Sequence, residues 1–475
     1  MFEVPIALGP SEQLRTMAGG EAGVRYDALV HRAREVLAGR CVWHVNATAE
    51  GGGVAELLST TLGYLASDGI ETRWLVIEAE APFFEITKRI HNRLHGDLGD
   101  GGPLGATERA RYDEVMALEL AEMKSFVRSG DLVVVHDPQP LGLIPGLAAT
   151  GATVMWTCHV GTDTATDVTR SAWAFLREDV RAARVATFSR RAYAWEGLDA
   201  TAIDVIPPCI DPLSAKNMEL HGDDIMSIVG AAGILGSPSE RPATFPRRDG
   251  SRAPVRYRAD MIEEMSTPTD VPLVVQVSRW DGLKDPIGVM MGFVQAPELY
   301  DAHLFLVGPA PSSVADDPEA DRVLGEVRAS WADLRGSDRE RVHLANLSTD
   351  DAEETAVVVN ALQRRADVIV QKSLAEGFGL TVTEAMWKAR PVVAGSVGGI
   401  RDQIEHGVSG ILVDPRELIL FGGAVADVLA DPVRAANIGA AARRSVASRY
   451  LPTHYLGAYL ELLLRLTLEG STSWS

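Results

Sequence analysis

Apolar positions along this chain come in two alternating rhythms. Short β-rich runs at residues 41–45, 74–77, 132–136 and 153–157 are separated by stretches whose Ala, Leu and Val recur at helical spacing. The same alternation returns at 273–277, 304–308, 368–370 and 392–395, each run leading through a turn into a helical pattern. Strands alternating with helices of this length pair in parallel, so the pattern predicts an α/β protein made of two similar doubly wound, Rossmann-like halves. Before residue 40 only helical spacing is seen, which reads as an N-terminal helical extension over 1–40. The proline-locked run Ile206-Pro207-Pro208-Cys209-Ile210-Asp211-Pro212 closes the first half, 41–212. Residues 213–270 then read as a linker or insertion, helical near 223–232 and basic through 241–248. The second half spans 271–445, and a leucine-rich helical pattern at 456–468 follows it.

Glycine placement points to where a ligand would sit. Glu376-Gly377-Phe378-Gly379-Leu380 lies between an apolar run and the helical pattern that continues through Glu384. Glycines there let the backbone approach a ligand, and the unpaired N–H groups of the following helix face it with the positive end of the dipole. That suits phosphate, and the flanking carboxylates Glu376 and Glu384 suit sugar or ribose hydroxyls. In the first half, Gly51, Gly52 and Gly53 follow the 41–45 run and open a helix at about residue 54, again at the carboxyl end of a strand. Their spacing is not the dinucleotide fingerprint, and no ribose-binding acid completes one. Arg279 and Lys284 occupy the loop after 273–277, where a guanidinium and an ammonium can grip a diphosphate. His159, just beyond the 153–157 run, is either a site residue or a structural imidazole. The glycine-rich loop at 96–105 is either a lid or a surface loop.

Composition narrows the partners. Of 475 residues, 46% are hydrophobic and 23% charged, as in a globular protein of two or three domains. The formal charge of −20 argues against nucleic acid or an anionic membrane surface as partner. Any anionic substrate must be held by local cations and amides. The three cysteines, Cys41, Cys158 and Cys209, lie far apart without metal-ligand spacing and read as buried thiols. The first residues carry no basic, apolar leader pattern and no run reaches membrane-spanning length, so a cytoplasmic protein is expected.

Together, Arg279 and Lys284 with four residues between, and Glu376 and Glu384 with seven between, resemble the retaining glycosyltransferases of family four. The resemblance implies the GT-B fold, two Rossmann-like domains facing a central cleft, and a C-terminal helix over 446–475 packing back on the first. More narrowly, Val42-Trp43-His44-Val45-Asn46, the run His136 to Pro140, the run Ile206 to Asn217, and Gln276 to Asp281 are similar to the trehalose glycosyltransferring synthases. These join a nucleoside-diphosphate glucose, such as UDP- or ADP-glucose, to free glucose and form α,α-trehalose reversibly. The resemblance implies Arg279, Lys284, Glu376 and His159 as the catalytic set. Gly52, Gly53, Phe378, Gly379, Leu380 and Glu384 would contact the donor, and Asn46, Asp137 and Gln139 the acceptor. No metal or other cofactor is implied as a requirement; magnesium enters only as an aid to nucleotide release, and a homodimer is left open. A trehalose phosphorylase using glucose 1-phosphate, or a non-catalytic nucleotide-sugar sensor, would use the same architecture.

Overall fold

The computed structural model describes residues 1–49, 53–198, 201–236, 242–311 and 318–471. It forms two compact units, Met1–Cys209 with Tyr450–Ser475, and Ile210–Arg449. Each is built on a seven-stranded sheet with helices on its faces, the two-domain α/β architecture expected from the residue pattern.

The first unit contains β1 (Phe2–Val4), β2 (Val42–Asn46), β3 (Thr72–Val76), β4 (Leu132–His136), β5 (Thr153–Cys158), β6 (Val185–Phe188) and β7 (Ala202–Val205). Their order across the sheet is β1-β3-β2-β4-β5-β6-β7. All neighbours are parallel except β1, which runs antiparallel along β3. The central strands β2 and β4 are buried at every position, which is why they read as continuous apolar runs and not as alternating ones. Their side chains join Trp156, Phe188 and Leu176 in one core. The first forty residues are integral to this unit. Helix Gly20–Val36 packs on helix Pro452–Ser471, and its buried Tyr26 donates to Asp68 at 2.6 Å.

The second unit follows with a hairpin of β8 (Thr244–Pro246) and β9 (Arg252–Pro254). Its sheet is built from β10 (Asp260–Ile262), β11 (Leu273–Val277), β12 (His303–Pro309), β13 (Val342–Leu347), β14 (Val368–Gln371), β15 (Val392–Gly395) and β16 (Ile411–Val413). The order is β10-β13-β12-β11-β14-β15-β16, parallel except for β10 against β13. Residues 213–270 lie within this unit. Helix Gly222–Ala231 packs on helix Ala352–Arg365, from which Asn360 Nδ2 donates to the carbonyls of Ala215 and Met218 at 3.0 and 2.9 Å. Within the basic stretch, Arg247 pairs with Asp351 and with Glu353, the latter at 2.9 Å.

The 96–105 loop is pinned to its own unit by two arginines. Arg89 pairs with Asp100 at 2.7 Å and donates to Pro103 O, while Arg93 donates to Gly102 O at 2.6 Å. All three cysteines are buried free thiols. Among the described residues no helix is long and apolar enough to cross a membrane.

Candidate functional site

In an open parallel sheet, ligands bind beyond the carboxyl ends of the strands where the strand order reverses direction. In the second unit that reversal falls between β11 and β14. Beyond β11 comes the loop holding Arg279 and Lys284, and beyond β14 the turn holding Glu376. The fold thus joins two sequence-distant motifs: Lys284 Nζ lies 2.5 Å from Glu376 Oε2, which also accepts from Ser373 Oγ at 3.1 Å. The backbones are joined too, because Leu374 N–H donates to Leu283 O at 2.8 Å. Gln276 Nε2 holds the carbonyl of Lys284 at 3.0 Å, and Asp281 caps the short helix Gly282–Lys284 through Leu283 N. Arg279 is half exposed, at 52%, and touches Asp281 at 3.2 Å. It is the most accessible cation of this loop.

Below these groups a fully buried lysine clamps three strand tips. Lys372 pairs with Asp285, the left-handed residue (φ +50°) that caps helix Pro286–Val294, and donates to Pro415 O at 2.5 Å. An ion pair taken out of water is costly unless its remaining donors and acceptors are satisfied, and here they are met from two sides.

Helix Leu380–Trp387 starts where the glycine pattern places it. Gly379 caps it at φ +88°, a conformation that glycine adopts without a Cβ clash. The turn leaves no room on its other side. A Cβ on Gly399 would come within 2.6 Å of Phe378 Cα, and Gly399 N–H donates to Gly377 O at 3.1 Å. Gln403 completes the cradle, donating to Phe378 O at 2.5 Å while its Oε1 accepts from Thr383 Oγ1 at 2.7 Å. Phe378 is buried and Leu380 half-buried. Glu384 is only 1% exposed, and its Oε1 pairs with Lys216 at 3.0 Å. Beside it Lys388 donates to Asn217 Oδ1 at 2.9 Å and to Glu384 O at 3.2 Å. Burial lowers the Lys388 pKa to about 7, with the Glu384 charge opposing.

In the first unit the order reverses between β2 and β4. Asn46 ends β2, and both ends of its amide are engaged, Oδ1 accepting from Trp74 Nε1 at 2.7 Å and Nδ2 donating to Thr48 O at 2.6 Å. Asp137, directly after β4, holds φ +60°. For an aspartate that left-handed backbone costs energy and must be held by its surroundings. Trp156 Nε1 donates to its carbonyl at 3.0 Å, and its Oδ1 accepts from His159 N–H at 2.8 Å. The tips of β4 and β5 are so joined, with His159 and Gln139 partly exposed beside them. Burial raises the Asp137 pKa and lowers that of His159, the latter opposed by the Asp137 charge. Gly52 lies outside the described residues, and Gly53 opens helix Gly53–Ser67.

Sequence reasoning misses the partners of these groups. Lys216 stands in the quoted run that ends at Asn217, where its charge among prolines is a signal, but its pairing with Glu384 spans 168 positions and no local pattern shows it. Lys372, Asp285 and Gln403 are likewise brought in by tertiary structure alone.

The chain matches the family described as "Trehalose synthase, N-terminal domain" over residues 44–195 and "Glycosyl transferases group 1" over 354–445. A trehalose synthase of Rubrobacter xylanophilus is 34% identical over 465 residues, covering 95% of this chain and 99% of that one. One from Pyrococcus horikoshii is 34% identical over 442 residues, covering 91% and 92%. Among solved structures, an α,α-trehalose-phosphate synthase (UDP-forming) from Burkholderia vietnamiensis aligns with TM-score 0.66 at 14% identity, over 90% of this chain and 98% of the other. An E. coli structure titled as bound with UDP-2-fluoro glucose aligns at 0.67 and 12% identity, over 89% and 99%. At such identities these last two show the shared GT-B fold.

Proposed function

This chain belongs to the trehalose synthase family of glycosyltransferases, and from that premise we propose that it transfers glucose from a nucleoside diphosphate to free glucose, giving α,α-trehalose. The observation that carries this reading is the pairing at the second unit's switch point. Two acids and two cations, Lys284–Glu376 and Lys216–Glu384, bracket the glycine turn into a helix N-terminus. Each charge is compensated while the site waits, which offsets part of the cost of burying it. A donor exchanges these partners for its own groups.

In this reading the diphosphate takes Arg279 and Lys284, with the amides of Phe378 to Leu380 on its oxygens. Glu376, freed from Lys284, accepts from glucose hydroxyls, and Glu384 accepts from the ribose. Gly53, His159, Asp137, Gln139 and Asn46 belong to the acceptor and donor-sugar side; the bonds from Trp74 Nε1 and to Thr48 O orient the Asn46 amide and leave it one lone pair and one N–H for sugar. The cations stabilise charge that grows on the leaving diphosphate, a contribution made mainly in the transition state. The bond from C1 to the phosphate oxygen breaks as C1 bonds the acceptor oxygen on the same face. The acceptor proton passes to the leaving phosphate oxygen. Configuration is retained without a protein nucleophile, and the reverse path cleaves trehalose with a nucleoside diphosphate.

The ribose assignment separates this reading from a phosphorylase. Replacing a carboxylate acceptor by an amide removes a charge-assisted bond, so Glu384→Gln should weaken nucleoside diphosphate binding by about tenfold or more while leaving inorganic phosphate binding unchanged. Titration calorimetry with ADP, UDP, GDP and phosphate measures both. Phosphate binding as tightly as every diphosphate would overturn the reading.

A further inference from the structure

Four titratable side chains stand in a row through the first unit, and the proposed reaction uses only the last. Tyr459 OH, on helix Pro452–Ser471, lies 3.1 Å from His44 Nε2 on β2. His44 Nδ1 is 3.0 Å from His136 Nε2 at the end of β4, and His136 Nδ1 is 3.4 Å from His159 Nε2. The imidazoles lie nearly parallel, at 19° and 8° between successive rings. Tyr459, His44 and His136 are 3%, 3% and 1% exposed, and among the described residues the ring nitrogens of the two inner histidines hydrogen-bond within this row.

We propose that Tyr459, His44 and His136 are positioning residues that fix His159 as the Nδ1–H tautomer, so that it presents a hydrogen-bond donor, not a base, to its ligand. A neutral imidazole has one donor and one acceptor nitrogen, so a row of them must point one way throughout. The direction is set at the tyrosine end. Among the described residues His44 is the hydrogen-bond partner of the Tyr459 hydroxyl. If that hydroxyl accepted from His44, its own proton would be buried without an acceptor among the described residues, which is unfavourable. It therefore donates to His44 Nε2. His44 then donates from Nδ1 to His136, and His136 from Nδ1 to His159 Nε2. The remaining proton of His159 is on Nδ1, which makes no hydrogen bond among the described residues, while the His159 backbone is held by Asp137. Burial keeps the inner rings neutral, lowering His44 to about 3 and His136 well below its usual value. Tyr459 is pushed up by the same burial, so the row cannot release a proton from its far end and acts by orientation.

The tautomer argument stands on this geometry alone; its kinetic consequence rests on the proposed place of His159 beside the donor sugar. The full chain labelled with 15N-histidine, read by long-range 1H–15N correlation at neutral pH and assigned with His159→Gln, should show His159 protonated on Nδ1. Tyr459→Phe keeps the packing and removes the direction, so His159 should then show both tautomers. An Nε2–H pattern in the wild type, or one unchanged tautomer in Tyr459→Phe, would overturn the proposal. If Tyr459→Phe does not fold, His44→Phe, which has neither donor nor acceptor, breaks the row at its next link with the same expected readout. In steady-state kinetics with UDP- or ADP-glucose, Tyr459→Phe should lower kcat/KM by about tenfold, and by nothing further in a His159→Gln background. An equal loss in both backgrounds overturns the coupling. A fixed Nδ1–H tautomer together with unchanged turnover in His159→Gln supports the row and instead removes His159 from the donor site.

Discussion

Lys216 and Lys388 approach the same carboxylate residue in opposite ways, and each makes a separate measurable claim. Lys216 neutralises Glu384, which has almost no contact with solvent. Lys216→Met should therefore strand the carboxylate and cost roughly 3 kcal/mol, the low end for breaking a buried pair because the lysine is partly exposed. Adding Glu384→Gln should recover most of that loss in chemical denaturation. No recovery would mean that Lys216 stabilises by packing. Lys388 is held by hydrogen bonds while burial pulls its pKa from 10.5 down to about 7. Between those values the unfolded chain binds more protons than the folded one, so raising the pH removes an advantage of the unfolded state. Stability contributed at this site should rise from about pH 7 to 10.5, and Lys388→Met should flatten that part of the stability curve. An unchanged slope in the variant would refute the shift.

At the scale of elements, the central strands were legible because burial on both faces turns them into uninterrupted apolar runs. β4 and β11 lie where the pattern predicts them, at Leu132–His136 and Leu273–Val277. Edge strands such as β1, β8, β9 and β10 are three residues long, too short for any period to show. The glycine turn before Leu380 was visible, yet the groups that hold it were not, since Gly399 and Gln403 come from a different βα connection. Gly399 tests the importance of that support. A methyl there must displace backbone and not a flexible side-chain end, so Gly399→Ala should cost about 1–3 kcal/mol as overpacking does and shift the amides at Phe378 to Leu380. The expected signature is weaker nucleotide binding in a folded protein. Wild-type affinity would show that the turn does not carry the phosphate.

On the scale of the molecule, the chain carries a formal charge of −20 and yet is read as binding an anionic sugar nucleotide. The proposed resolution is local: Lys284 is paired with Glu376 where the strand order reverses, and helix amides beside them would complete an anion site. The second sheet brings Arg279, Lys284 and Glu376 to its reversal point, and in the first Asn46 ends β2 and Asp137 follows β4, the two strands that flank the reversal. The family assignment then supplies the disaccharide. The most direct test of the account is product identification by NMR after the purified protein has been incubated with UDP-, ADP- or GDP-glucose and glucose, beside trehalose with phosphate. The account predicts the symmetric α,α-trehalose anomeric signal with at least one nucleotide donor, and no glucose 1-phosphate in the phosphate sample. Glucose 1-phosphate there, or a nucleotide donor that yields no trehalose with any base, would contradict it.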